Sequence, residues 1–452
     1  MVKDFFCKVL KGKQVRFLYS TRCCKPHPFS EQKRHCRKMG RHSERGKSED
    51  LPFGVLLTAS GNRQFVTLGN STVPKPFSEA YYSLLNAEVM HFKQLSQRIC
   101  RQALLLCLTA LTFLFISCDP KPGPTPPPVP VDAHAKGLFI LNEGLFLMNN
   151  STLSFYDFQN STLTDDLFIQ ANQRGLGDVG NDLQQYGSKL YAVINNSNRV
   201  EIMRADDAKS LRSIDLSGKQ PRNICFYGGK AFVSCYDGDI VRIDTSSLET
   251  DGTLHSGPNP DGICCCNGKL YVANSGGLNY PTYNNTVSVI DPASFTLLRT
   301  ITVGTNPCAV INYNDQYVYV ATRGNYDDVP YNLYKIDAAT DQVVKTYNKE
   351  IYNLTIHGDI AYIYNYDFSF SNSSISIMDL KTDEIIRENF ITDGTSIQTP
   401  YGITVNKLNG DVYIADAHDF ATTGDIYCFS SDGKKKFSFE AGYNPGKMVF
   451  VY

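Results

Sequence analysis

The sequence predicts an all-β fold: residues 136–452 form a seven-bladed β-propeller with four strands in each blade. The first observation behind this is a repeated aromatic. Tyr191, Phe232, Tyr271, Tyr319, Tyr362 and Tyr413 sit in similar apolar runs, spaced 41, 39, 48, 43 and 51 residues apart. A period of about 40–50 residues with four strand-like runs per unit is the signature of propeller blades. The second observation is the absence of any helical period. The runs are short, rich in Tyr, Val and Ile, and punctuated by Gly, Asn, Asp and Pro, which excludes helical solenoids. The third is the fit of the two ends. Gly137–Asn142 reads as the second strand of a blade and Asn444–Tyr452 as the first strand of one. Joining them completes a seventh blade and leaves no open sheet edge. Six or eight blades are the alternatives. Stacked β-sandwiches would need Greek-key-length connections that do not separate these units.

Taken in order, the chain first shows a basic segment, 1–89, with 16 Lys and Arg against 7 Asp and Glu and no sustained period of 2 or 3.6. It reads as an upstream extension from a misplaced start, with Met90 the true beginning. From Met90 the pattern is that of a leader, 90–117. Lys93, Arg98 and Arg101 precede the apolar stretch Ala103–Ile116, which is too short to span a bilayer of ~30 Å but suits a signal-peptide core. The stretch ends in Phe115-Ile116-Ser117-Cys118, similar to a bacterial lipobox. That likeness implies lipidation of Cys118 and cleavage before it, and two or three acyl chains make a lasting anchor. Residues 118–135 carry Pro120, Pro122, Pro124, Pro126, Pro127, Pro128 and Pro130, an extended tether that would stand a domain off a membrane.

Charge and cysteine use bound the partners. The whole chain is nearly neutral, with 44 basic and 45 acidic residues, but residues 118–452 hold 25 basic and 38 acidic ones. An acidic folded domain repels phosphate backbones, so no nucleic-acid partner is expected. Seven of the fourteen cysteines follow Cys118, including the run Cys264-Cys265-Cys266. An odd number without zinc-ligand spacing reads as buried free thiols acting as small hydrophobes.

Within the repeats, the loops joining strands 2 and 3 of each blade share one rim with the inter-blade loops. They are rich in Asn, Asp, Tyr and Gly, and one holds Arg323. Tyr offers area at low entropic cost and Asn both a donor and an acceptor, which suits a rigid polar ligand. The residues expected to contact such a ligand are Tyr236, Tyr280, Tyr283, Arg323, Tyr326 and Tyr366, with Asp178, Asn195 and Asn274 orienting it. Asn, Asp and Gly also make turns for purely structural reasons. Catalytic patterns are thin: His134, His255, His357 and His418 fall in separate units, and no nucleophile elbow or phosphate loop occurs. The enzyme alternative is a calcium-dependent propeller hydrolase, in which Glu143, Asn195, Asn274 and Asp416 converge as oxygen ligands. No resident cofactor or metal is expected otherwise.

Leu141-Asn142-Glu143-Gly144, Asn149–Asp157, Gly177–Asp182, Tyr271–Gly277 and Asn285–Asp291 give the chain a resemblance to the YncE-like surface propellers, lipoproteins of Gram-negative gut anaerobes. The resemblance covers Gly137–Tyr452. It implies an outer-membrane protein facing outside the cell. It also implies a cobalamin-type corrinoid as ligand and a TonB-dependent transporter as partner. A surface propeller that binds only protein or glycan is the remaining alternative.

Overall fold

The computed structural model describes residues 135–367, 369–370 and 372–452. The expected extension 1–89, leader 90–117, lipidation site Cys118 and all but the last residue of the tether lie outside the described residues. What is described is a ring of seven four-stranded antiparallel sheets. Strands are numbered in chain order.

The expected closure is present. β28 (Pro445–Val451) forms the innermost strand of a sheet continued by β1 (Gly137–Asn142), β2 (Thr152–Asp157) and β3 (Thr162–Thr164). Its register sets Leu138 against Phe450 and Ile140 against Met448, so the two chain ends share one hydrogen-bonded ladder and no blade is left open. The other six blades begin at the axis with β4 (Gly180–Tyr186), β8 (Pro221–Tyr227), β12 (Pro260–Cys266), β16 (Pro307–Tyr313), β20 (Asn353–His357) and β24 (Pro400–Val405). Five of the seven innermost strands start with Pro, whose missing N–H is tolerated at a strand's first position. Before three of them stand Asn259, Asn306 and Asn444, at φ 48°, 59° and 53°. Asn adopts this left-handed conformation more readily than other side-chained residues, and here it turns the chain from an outer strand to the axis.

The repeated aromatics are core. Tyr191, Phe232, Tyr271 and Tyr319 are fully buried, each worth on the order of 2 kcal/mol of apolar burial. Two also bridge blades: the Tyr271 hydroxyl donates to Asp341 at 2.6 Å and the Tyr319 hydroxyl to Asp383 at 2.9 Å, each carboxylate lying on the following blade. Lys269 and Lys335 complete these pairs at 2.6 and 3.0 Å.

The seven described cysteines are free thiols. Alternation along β12 sends Cys264 and Cys266 into the apolar cluster on one side of the blade and Cys265 into that on the other. The triple run therefore fills two inter-blade cores. One feature departs from the all-β expectation: a single-turn helix, α1 (Leu167–Asn172), capped by Asp166, which accepts the Ile169 N–H at 3.1 Å.

Candidate functional site

The innermost strands enclose an axial cavity of about 750 Å³. At one end, where the loops between second and third strands meet the inter-blade loops, its wall is polar and aromatic. Strand geometry places several of these side chains. The residue after each leading Pro turns toward the axis at the mouth, which brings in Arg222 after Pro221, Asp261 after Pro260 and Tyr401 after Pro400. Glu143, from the loop between β1 and β2, and Arg323, from the corresponding loop two blades beyond β8, complete the wall together with Tyr352 and Tyr364.

Most charges here are committed. Arg222 is 7% exposed; its Nε donates to Asp261 at 3.2 Å, its Nη1 to Asn181 at 2.6 Å, and its guanidinium lies 4.6 Å over the Tyr236 ring. Asp261 also accepts from Asn223 at 3.1 Å and from the Tyr236 hydroxyl at 3.3 Å. Burial opposes the Arg222 charge, but Asp261, Tyr236 and Glu143 together more than restore it, and the net shift is upward. Glu143 accepts a hydrogen bond from the Tyr401 hydroxyl. Burial pushes its carboxyl above the usual carboxylate range, with the Tyr401 bond working the other way.

Arg323 differs. It is 8% exposed and lies 4.3 Å over the Tyr352 ring. Among the described residues it forms no ion pair, and its buried Nε has no hydrogen-bond partner.

The expected contact residues divide into two groups. Arg323, Tyr236, Tyr283, Tyr326 and Tyr366 come together around the mouth. Tyr283 packs edge-on to Tyr326 at 5.8 Å, Tyr326 to Tyr331 at 6.1 Å, and Tyr366 against Tyr352 at 4.4 Å. Tyr280 extends this arc outward, 60% exposed and 6.2 Å from Tyr283. The three expected orienting residues have polar groups engaged within the protein. Asn195 donates to the Pro221 carbonyl at 2.9 Å. Asn274 is buried within its blade, donating to Thr286 at 3.1 Å and Ser288 at 2.9 Å and accepting from Ser256 at 3.0 Å. Asp178 accepts from the Leu147 N–H at 3.1 Å and from Asn196, although its other carboxylate oxygen is buried without a partner.

The four residues of the calcium alternative do not share a cluster. Asp416 accepts the backbone N–H groups of Gln398, Thr399 and His418 at 2.8, 2.8 and 3.0 Å. With Asn195 and Asn274 engaged as above, only Glu143 faces the axis. Among the described residues no group of three His, Cys, Asp or Glu side chains is arranged to hold a metal ion. Sequence reasoning missed Arg222, Asp261, Tyr352 and Tyr401 as site residues. The signal for three of them was the leading Pro: the residue after it is the one the strand turns to the mouth.

Residues 136–451 match the family described as Domain of unknown function (DUF5074). The chain belongs to that family. No curated protein matches it. Among solved structures, this DUF5074 chain is similar to a quinoprotein alcohol dehydrogenase-like protein from Bacteroides thetaiotaomicron, at 18% identity and a TM-score of 0.52, over 70% of this chain and 78% of that one. It is also similar to hydrazine synthase from Kuenenia stuttgartiensis, at 16% identity and a TM-score of 0.47, over 59% of this chain and 92% of that one. At these identities the likeness is one of propeller fold alone.

Proposed function

We propose that this DUF5074 propeller is a capture protein that binds a rigid, polar ligand at the channel mouth without transforming it. The observation that carries the reading is a pair of packed tyrosine groups, Tyr283–Tyr326–Tyr331 and Tyr352–Tyr366, beside the buried Arg323 guanidinium, which lines the axial cavity together with Tyr352. Aromatic rims with few, fixed polar groups bind flat polar molecules at low entropic cost. The two acids at the mouth are each tied to a neighbour, Asp261 to Arg222 and Glu143 to Tyr401, which favours holding a ligand over proton transfer to it.

The finer reading is a cobalamin-type corrinoid, taken up at the outer surface of a cell by a protein anchored through lipidated Cys118 and passed to a TonB-dependent outer-membrane transporter. Corrinoids display many amides around a flat macrocycle, which the mixture of Tyr and Arg suits. The lipobox-like Phe115–Cys118 and the Pro-rich tether support the location. Calorimetry of the purified protein with cyanocobalamin tests the ligand. A capture protein should bind at or below ~1 nM, about −12 kcal/mol; no heat at micromolar protein removes the corrinoid from the reading.

A further inference from the structure

Of the two arginines that line the cavity, only Arg323 lacks an ion pair among the described residues, and its buried Nε has no hydrogen-bond partner. A guanidinium removed from water is costly unless an acceptor of opposite charge meets it. Arg222, at the same depth, has such an acceptor in Asp261; Arg323 has none among the described residues, and its Nε is orphaned. The Tyr352 ring covers one face of the guanidinium, which leaves the in-plane N–H edges as the free binding surface. Those edges form a fork that matches the two oxygens of a carboxylate or a phosphate. The surrounding charge agrees in sign. Arg222, Arg323 and Lys447 line the cavity with two aspartates, Asp261 paired to Arg222 and Asp182 to Lys447, and with Glu143, whose burial favours its neutral form, within a domain that is otherwise acidic.

We propose that Arg323 is an oxyanion anchor: the ligand of this mouth carries a carboxylate or phosphate that docks edge-on to the Arg323 guanidinium, with its body in the axial cavity that Arg323 lines. This rests on the mouth being a ligand site, and adds the chemical class of the group recognised there. It is compatible with a corrinoid, whose nucleotide loop carries one phosphodiester among neutral amides, but does not require one.

The test uses simple probes on the full protein: phenyl phosphate, benzoate, and the neutral analogue benzamide, titrated by calorimetry into wild type, Arg323→Gln and Arg323→Lys. At least one of the two anions should bind wild type ten-fold or more tightly than benzamide does. That preference should vanish in Arg323→Gln and be partly kept in Arg323→Lys, which retains the charge but loses the fork. Phenyl phosphate against benzoate tells which oxyanion is preferred. A melting curve guards against a folding artefact. Arg323→Gln should melt near wild type, because the side chain removed gives up its contact with the Tyr352 ring but breaks no ion pair among the described residues. Failure to fold, a clearly lowered melting temperature, or equal binding of anion and neutral probe would each overturn the proposal. The outcomes separate it from the corrinoid reading. Arg323-dependent anion binding without cyanocobalamin binding keeps the anchor and drops the corrinoid. Cyanocobalamin binding untouched by Arg323→Gln does the reverse.

Discussion

Two arginines face the same cavity from blades two apart, equally buried, and their surroundings are opposite. Arg222 is held by Asp261, Asn181 and the Tyr236 ring. Arg323 lies over the Tyr352 ring and, among the described residues, forms no ion pair, its Nε having no hydrogen-bond partner. Burial by itself therefore does not separate a structural charge from one kept for a ligand. What separates them is whether the protein supplies the partner. The Arg222 side of the mouth is a finished network, closed on itself before any ligand arrives. The Arg323 side is unfinished, and the tyrosine arc gathers on that side.

The largest expected effect breaks the finished side. Arg222→Met leaves Asp261 buried without its cation, and breaking a buried pair in this way costs about 3–5 kcal/mol. Denaturant unfolding should show the loss as a lowered midpoint, while Arg323→Met stays near wild type. Equal losses in the two variants would mean that the two sides do not differ in kind. A smaller effect is expected where the β24 blade meets the blade that closes the ring. Tyr401→Phe removes the hydroxyl that donates to Glu143 and leaves a buried acceptor short of a partner, at about 1–3 kcal/mol. Combining it with Glu143→Gln should recover part of that loss, since an unpaired neutral amide is less costly to bury than an unpaired carboxylate. Strict additivity of the two changes would show that the pair is not coupled.

The fold was legible because blade formation depends on periodic, local signals. Tyr191, Phe232, Tyr271 and Tyr319 repeat where the sheets pack, and the split blade was readable from Gly137–Asn142 and Asn444–Tyr452. The mouth was only partly legible. Tyr283, Tyr326, Arg323 and Tyr366 could be singled out as rim residues because loop tyrosines and a lone loop arginine are chemically conspicuous. For Asn195 and Asn274 the sequence could not show that their amides are engaged within the protein, because Asn serves internal hydrogen bonding and ligand binding with the same atoms; only the partners distinguish the two. Asn274 spends its amide on Thr286, Ser288 and Ser256. Arg222 and Asp261 were overlooked because each is an ordinary charged residue in its own strand. They become a pair only when β8 and β12 stand side by side at the axis, a contact between positions 39 residues apart.

The smallest expected effect tests the charge balance that makes the Arg323 side open. Burial raises the Glu143 pKa above its ordinary value of 4.5, and the Tyr401 hydrogen bond and the nearby Arg222 offset this only in part. The sign follows by linkage. A carboxyl whose pKa is higher folded than unfolded binds its proton more tightly in the folded state. Its contribution to stability is complete below 4.5 and is lost as pH rises through the folded value. Glu143→Gln is neutral at every pH and still offers Tyr401 an acceptor, so it lacks this drift. The unfolding free energy of wild type relative to Glu143→Gln should therefore fall as pH rises above 4.5, and level off beyond the folded pKa. A difference that stays flat as pH rises, or that rises with it, would mean that Glu143 is ionised in the folded protein at or below its ordinary range. The mouth would then hold two carboxylates against two guanidiniums. Arg323 would be balanced at a distance by Glu143, and the contrast with Arg222 would shrink to one of geometry alone.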